Sequence, residues 1–301
     1  MKVVLAGGTG ALGTRIAADL AGAGNEVVIL TRSPRPHIRF RQIAWDGRSP
    51  GSWSAELEGA VLVNLAGALV DRRPTSANVE LLRRSRVEPT RALVEASHSC
   101  SRPPRVWIQG STTAIYGDAG DAVIDEDAPI PSGPPQMPGV ARPWEEAARD
   151  ARADRRVVFR MSLVLDRNTP VLDRLERVVR LGLGGRIASG RQWVSWIHVA
   201  DMLRALRFVL GRDIDGVVNV TSPEPIQNAT LMAELRRHLN RPWSPPVPAP
   251  VVRIGAFLLG SDAALALTGR RCIPKRLAER GFDFRLPTLR HALDDLYGAP
   301  G

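Results

Sequence analysis

The stretch LAGGTGALGTRIAADL, residues 5–20, constrains the fold more than any other part of the chain. A short apolar run ends in Gly7, Gly8, Gly10 and Gly13, and a helical pattern opens directly behind them. The spacing satisfies Gly-x-Gly-x-x-Gly through Gly8, Gly10 and Gly13, and Gly-x-x-Gly-x-x-Gly through Gly7, Gly10 and Gly13. Glycine lets such a turn tighten and lets the backbone approach a pyrophosphate, which then faces the positive end of a helix. Set straight after the first strand, the motif predicts the opening βα unit of a Rossmann-type, doubly wound parallel sheet of the α/β class. We assign Gly7, Gly10, Ala11, Leu12 and Gly13 to a dinucleotide site. The competing reading is a tight turn that holds no ligand.

Strand patterns recur at 2–6, 26–30, 41–45, 60–64, 105–109 and 156–160, with helical patterns between several of them, notably 11–23, 77–99 and 141–152. That alternation argues for a parallel sheet covered on both faces. An apolar helix at 199–210 and a strand at 217–220 return part of the second half to the sheet. A proline-rich connector, 241–250, precedes short helical pieces broken by Gly and Pro. We therefore expect a Rossmann domain from 1–165 and 191–228, and a small, mainly helical C-terminal lobe from 166–190 and 229–301. The most apolar long stretch, 251–269, is interrupted by Arg253 and Asp262, so it reads as core helices and not as a membrane span.

The formal net charge of +10 would suit a nucleic-acid partner. The positive charge is nearly all arginine, scattered and not clustered, which argues for a solvated basic surface and no nucleic-acid partner. Cys100 and Cys272 form neither a metal spacing nor a disulfide framework. The first residues, MKVVLAGGTG, hold too short an apolar run for a signal peptide. A cytoplasmic protein with no membrane association is expected.

The cofactor form is read at the end of the second strand, Leu30-Thr31-Arg32-Ser33-Pro34-Arg35. NAD sites place an Asp or Glu there for the ribose hydroxyls. Here a guanidinium stands instead, and Arg can hold a 2′-phosphate that a carboxylate would repel. We expect NADP(H), with Thr31 and Arg32 at the phosphate; Arg32 could equally be one more surface arginine. Asp46 would accept from the adenine amino group or cap its loop. Leu65, Ala66 and Gly67, after the fourth strand, are small enough for the backbone to lie against the riboses. Ser111, Thr112 and Thr113 end the fifth strand where the nicotinamide should lie, and Met161 is placed at the cofactor as well.

GGTGALG, NLAGA, STTAIYG and WIHVAD, in that order, resemble the extended short-chain dehydrogenase/reductase superfamily. Residues 182–202, 219–229 and 269–296 resemble its epimerase-like subfamily, which carries a small C-terminal domain of unknown function. The resemblance covers essentially the whole chain and implies a nicotinamide-dependent oxidoreductase or epimerase, acting on a small carbonyl or sugar-like substrate. It also implies a monomer or a homodimer paired through helices, here 77–99 and 141–152. In the superfamily a Ser or Thr works with Tyr-x-x-x-Lys on the next helix; the tyrosine moves the proton, and the lysine tunes it and holds the ribose. Thr112 takes the hydroxyl position. The tyrosine and lysine positions fall on Met137 and Ala141, neither of which can move a proton.

Substitutes are Thr112 and Tyr116, the latter either a proton donor at the pocket or a packing residue. Gln192, Trp193, Trp196 and His198 are assigned to the substrate wall, against competing readings of core packing and of a histidine buried at a helix start. Glu145 either touches the cleft or forms a surface ion pair. The alternative for the whole chain is a catalytically inactive, NADP(H)-binding regulatory or interaction protein.

Overall fold

Val3, Val4, Leu5 and Ala6 are all fully buried, as expected of a strand covered on both faces. The structure, a computed structural model, describes residues 1–167, 169–241 and 243–299. Seven strands form its main sheet: β1 (Lys2–Ala6), β2 (Glu26–Thr31), β3 (Arg41–Ala44), β4 (Val61–Asn64), β5 (Val106–Thr112), β6 (Arg156–Met161) and β7 (Gly216–Val220). The order is β7-β6-β5-β4-β1-β2-β3, and every pairing is parallel. The chain leaves β1 in one direction for β2 and β3, and returns on the other side to β4. That reversal opens a crevice at the carboxyl ends of β1 and β4, where ligands of such sheets bind.

The helices are α1 (Ala11–Gly22), α2 (Ser76–His98), α3 (Pro138–Glu146), α4 (Pro170–Arg180), α5 (Val199–Leu210), α6 (Asn228–His238), α7 (Ala249–Leu258), α8 (Ala264–Leu267), α9 (Lys275–Glu279) and α10 (Leu289–Tyr297). Alternate residues of β1 serve opposite faces. Val3 and Leu5 pack with Ile16 and Leu20 of α1 and Leu206 of α5, whereas Val4 and Ala6 pack with Leu93 and Ala96 of α2 and with Trp107. Each fully buried Leu or Ile contributes about 1.5 to 3 kcal/mol of hydrophobic stabilisation. A separate core joins α4, α6 and α10 through Leu172, Val179, Leu231, Leu235, Leu289 and Leu293. This is the helical lobe.

Three expectations need correction. Helix α3 begins at Pro138, three residues earlier than its pattern suggests, because proline at a first helical position forfeits no hydrogen bond. Residues 251–269 are not core helices: none of α7 is buried, and Ile254, Phe257 and Leu258 are 61%, 63% and 73% exposed. Nor does all of 229–301 belong to the lobe. Leu277 and Phe282 join the core beneath the sheet, Phe282 packs edge-on to Phe208, and Arg271–Cys272 pairs with Val123–Ile124. Among the described residues no helix is long and apolar enough to cross a membrane.

Candidate functional site

Gly7 turns the chain with a φ of +81°, where an L side chain is strained, and a Cβ there would stand 2.8 Å from the Leu65 carbonyl oxygen. A Cβ on Gly13 would stand 2.6 Å from the Gly7 carbonyl oxygen, so the helix start presses on the loop. Gly10 caps α1 in an extended conformation, with no side-chain cap and no acidic residue in the first turn. The N–H groups around Ala11 and Leu12 thus present an uncompensated positive end, the setting an anion requires.

Above this loop lies a cleft of about 570 Å³, bounded by Gly7, Gly10, Thr31, Arg32 and Arg35 on one side and Leu65, Ala66 and Gly67 on the other. Thr31 is buried, exchanges hydrogen bonds with the Ser33 backbone, and so turns the chain outward at Arg32. Arg35, which the sequence reading passed over, reaches back to the Thr9 carbonyl at 3.3 Å. Arg48 and Arg84 also line the cleft, but both pair with Glu88. Arg32 and Arg35 have no such carboxylate among the described residues. Asp46 lines the wall and caps its own loop: it accepts from the Ser49 hydroxyl at 2.6 Å and from the Arg48 and Ser49 N–H groups at 2.8 and 3.0 Å. Those hydrogen bonds, Ser49's hydroxyl foremost, hold its pKa down to about 2.

The Leu65–Gly67 turn is pinned from behind. Leu65 N–H donates to the Ala6 carbonyl at 2.8 Å, and Ala66 N–H to Asn64 Oδ1 at 3.2 Å. The buried Arg86 donates to the Ala68 and Leu82 carbonyls and lies 5.1 Å over the Trp144 ring. Burial lowers its pKa to about 10, so it stays charged at neutral pH.

Where the tyrosine and lysine would act, the chain builds a different structure. Ser111 of β5 stands beside Arg160 of β6 in the register, and Arg160 beside Asn219 of β7. Ser111 Oγ donates to Glu145 Oε1 at 2.5 Å. Arg160 grips both Glu145 oxygens at 2.8 Å and donates to the Tyr116 hydroxyl at 2.8 Å. Tyr116 in turn donates to Asn219 Oδ1 at 3.1 Å. Burial alone would lower the Arg160 pKa; the hydrogen bonds and charge of Glu145 outweigh it, and the net direction is up. Burial raises the Tyr116 pKa, with opposition from Arg160. Its single proton is committed to Asn219 and its ring is buried, so Tyr116 is not a free proton donor.

Thr112 ends β5 and stands beside Met161 in the register, part-exposed. Its Oγ1 accepts from Ala114 N–H at 3.1 Å, while its own proton has no partner among the described residues. Met137 caps α3 and is buried; its Sδ lies 3.9 Å from Thr268 Oγ1 and 3.7 Å from Arg270 Nη2. Ala141 packs with Ile115, Tyr116, Ile124 and Cys272.

The expected substrate wall is largely scaffold. Trp196 is fully buried in the lobe core, its Nε1–H donating to the Glu224 carbonyl. His198 is buried at the start of α5, where Nδ1 accepts from Ala200 N–H at 3.2 Å. Burial lowers its pKa, against the pull of Asp295. Gln192 Nε2 donates to the Ile187 and Ala266 carbonyls. Trp193 donates to Asp121 and carries Arg271 on its ring. Of the four, Gln192 Oε1 accepts from no group among the described residues, and His198 Nε2 is enclosed 3.4 Å from Asp295 Oδ2. The residues missed are Arg160, Arg86 and Arg270. A charged residue inside the apolar run RVVFR was the available signal for Arg160.

Residues 3–138 match the NAD dependent epimerase/dehydratase family, and residues 247–296 match a domain of unknown function, DUF1731. The mouse epimerase family protein SDR39U1 is 33% identical over 98% of this chain and 99% of its own length. The chain belongs to the NAD-dependent epimerase/dehydratase family. Within that family, the crystal structure of the human epimerase family protein SDR39U1 (isoform 2) with NADPH is 31% identical, covers 99% of both chains and superposes with a TM-score of 0.87. The nucleoside-diphosphate sugar epimerase from Corynebacterium glutamicum is 28% identical, with a TM-score of 0.77 over 99% of this chain and 58% of the other.

Proposed function

We propose that this family member is an NADP(H)-dependent oxidoreductase or epimerase-like enzyme acting on a small carbonyl or sugar-like substrate. One observation carries the cofactor form: Arg32 and Arg35 stand at the cleft, free of carboxylate partners among the described residues, where an NAD site would hold an acid. The NADPH of the human relative's structure supports the same reading. The glycine cradle fits a dinucleotide, because a Cβ at Gly7 or Gly13 would close it. Bound there, the nicotinamide supplies hydride chemistry. The chain's own part is to hold the pyrophosphate on the α1 N–H groups, the 2′-phosphate on Arg32 and Arg35, and the substrate oxygen on the Thr112 hydroxyl. Ser111, Glu145 and Arg160 brace β5 so that Thr112 keeps its place.

The test is NADPH oxidation against a panel of aldehydes, ketones and quinones. Thr112→Ala should lower turnover roughly a hundredfold with NADPH affinity kept, as for loss of a group that assists proton transfer. Undiminished turnover would remove Thr112 from the chemistry. The second reading, a binding protein without turnover, is favoured by Met137 and Ala141 and by the committed Tyr116 hydroxyl. It gains if NADPH binds tightly and no compound in the panel is reduced.

A further inference from the structure

Three buried or part-buried guanidiniums lie against α3 and its cap, at Trp144, Glu145 and Met137, and they differ in how their charge is met. Arg160 has Glu145. Arg86 has carbonyls and an aromatic face. Arg270 has almost nothing. Its Nη2 donates to Thr268 Oγ1 at 3.3 Å and points at the Met137 thioether, a weak acceptor. Its Nε is enclosed and lacks any partner. Nη1 has no partner among the described residues and is not enclosed. No carboxylate among the described residues reaches ion-pair distance. Asp118, whose charge acts on Arg270 from beyond ion-pair distance, accepts from Gly269 N–H through Oδ1 at 3.1 Å. The neighbouring Cys272 thiol, pushed up by burial to about 11, stays neutral.

The backbone under Arg270 is held on both sides. Its N–H donates to the Trp193 carbonyl at 3.0 Å, and its own carbonyl accepts from Ser195 Oγ at 2.9 Å. A Cβ on Gly269 would stand 2.4 Å from Trp193 N, so the two backbones pack too closely for a side chain there. The guanidinium is thus carried by a hydrogen-bonded loop to Met137, the position a proton-donating tyrosine would hold. A cation taken from water without a counter-charge is costly, and a fixed fork of N–H donors matches a planar carboxylate.

We propose that Arg270 is the anion hold of the substrate site, and that the substrate is a small oxo-acid whose carboxylate completes this guanidinium. This rests on the oxidoreductase reading above and narrows its substrate class. Burial pulls the Arg270 pKa down, as for a cation with no full partner.

The experiment is calorimetric titration of C3–C8 2-oxo and 3-oxo acids, each beside its neutral ketone or aldehyde counterpart and beside inorganic phosphate. It is run on the wild type and on Arg270→Gln and Arg270→Lys, with and without NADPH. We expect at least one oxo-acid to bind the wild type and its neutral counterpart not to. Arg270→Gln should weaken that binding at least about tenfold, Arg270→Lys less, and both should keep NADPH affinity. Thermal shift by the same acid, seen in the wild type and lost in Arg270→Gln, guards against a folding artefact. Binding unchanged in Arg270→Gln, phosphate bound as tightly as every oxo-acid, or no oxo-acid bound at all would overturn the proposal. Failure of NADPH to bind would sink the cofactor reading instead, and the titrations without cofactor would still report on Arg270.

Discussion

The two ends of the cleft are built on opposite terms. At the adenosine end the polar groups are left open: an uncapped helix start, glycines that would clash with any side chain, and two guanidiniums without carboxylates. Around β5 and α3 most polar groups are spent on one another, Ser111 on Glu145, Glu145 on Arg160, Arg160 on Tyr116, and Tyr116 on Asn219, and only the Thr112 proton and Arg270 stay unmatched among the described residues. An open set binds; a closed set braces. The difference teaches that a polar residue at the right sequence position marks chemistry only if its hydrogen-bonding capacity is free.

Glu145→Ala should produce the largest effect. It strands the buried Arg160 charge, and loss of one partner of such a pair costs about 3 to 5 kcal/mol. Chemical denaturation measures it; a loss near zero would mean that the substrate end is not braced as described. Tyr116→Phe should cost about 1 to 3 kcal/mol, because it leaves Arg160 and Asn219 each short of a partner. Turnover should be nearly unchanged, the reverse of the Thr112→Ala outcome. Loss of turnover at full stability would return Tyr116 to the chemistry.

At the open end, Arg32→Ala should weaken NADPH roughly tenfold and NADH little, since only the former offers a phosphate to grip. Equal losses, read by fluorescence titration, would dissolve the contrast between the two ends. The smallest effect is a pH dependence. The folded-state pKa of His198 is depressed, so the neutral imidazole favours folding above its unfolded value of about 6.5. That contribution falls away as pH drops below this value toward the folded pKa. His198→Asn keeps a helix-capping side chain and cannot titrate, so its stability should depend less on pH below about 6.5. An unaltered slope would assign the dependence to other groups.

The open end was legible in the sequence because its requirements are local. The φ of Gly7 and the bare α1 start lie within the glycine motif, and the residues closing β2 stand at the end of the very next strand. The braced end was not. Ser111, Glu145 and Arg160 meet only through the register of β5 and β6 and the seat of α3, and Glu145 could be read no further than a cleft contact or a surface ion pair. Trp193 and Trp196 look like an aromatic platform in one dimension, yet one carries an arginine and the other fills the lobe core. Apolar composition misled at α7 as well, since hydropathy cannot say whether a short helix meets a partner surface inside the chain.

The central claim, that this chain keeps an open, phosphate-selective dinucleotide end, is tested most directly by titration calorimetry with NADPH and NADH. The account predicts a saturable heat with NADPH and an affinity at least about tenfold above that for NADH. No heat with either dinucleotide, or NADH bound as tightly as NADPH, would contradict it.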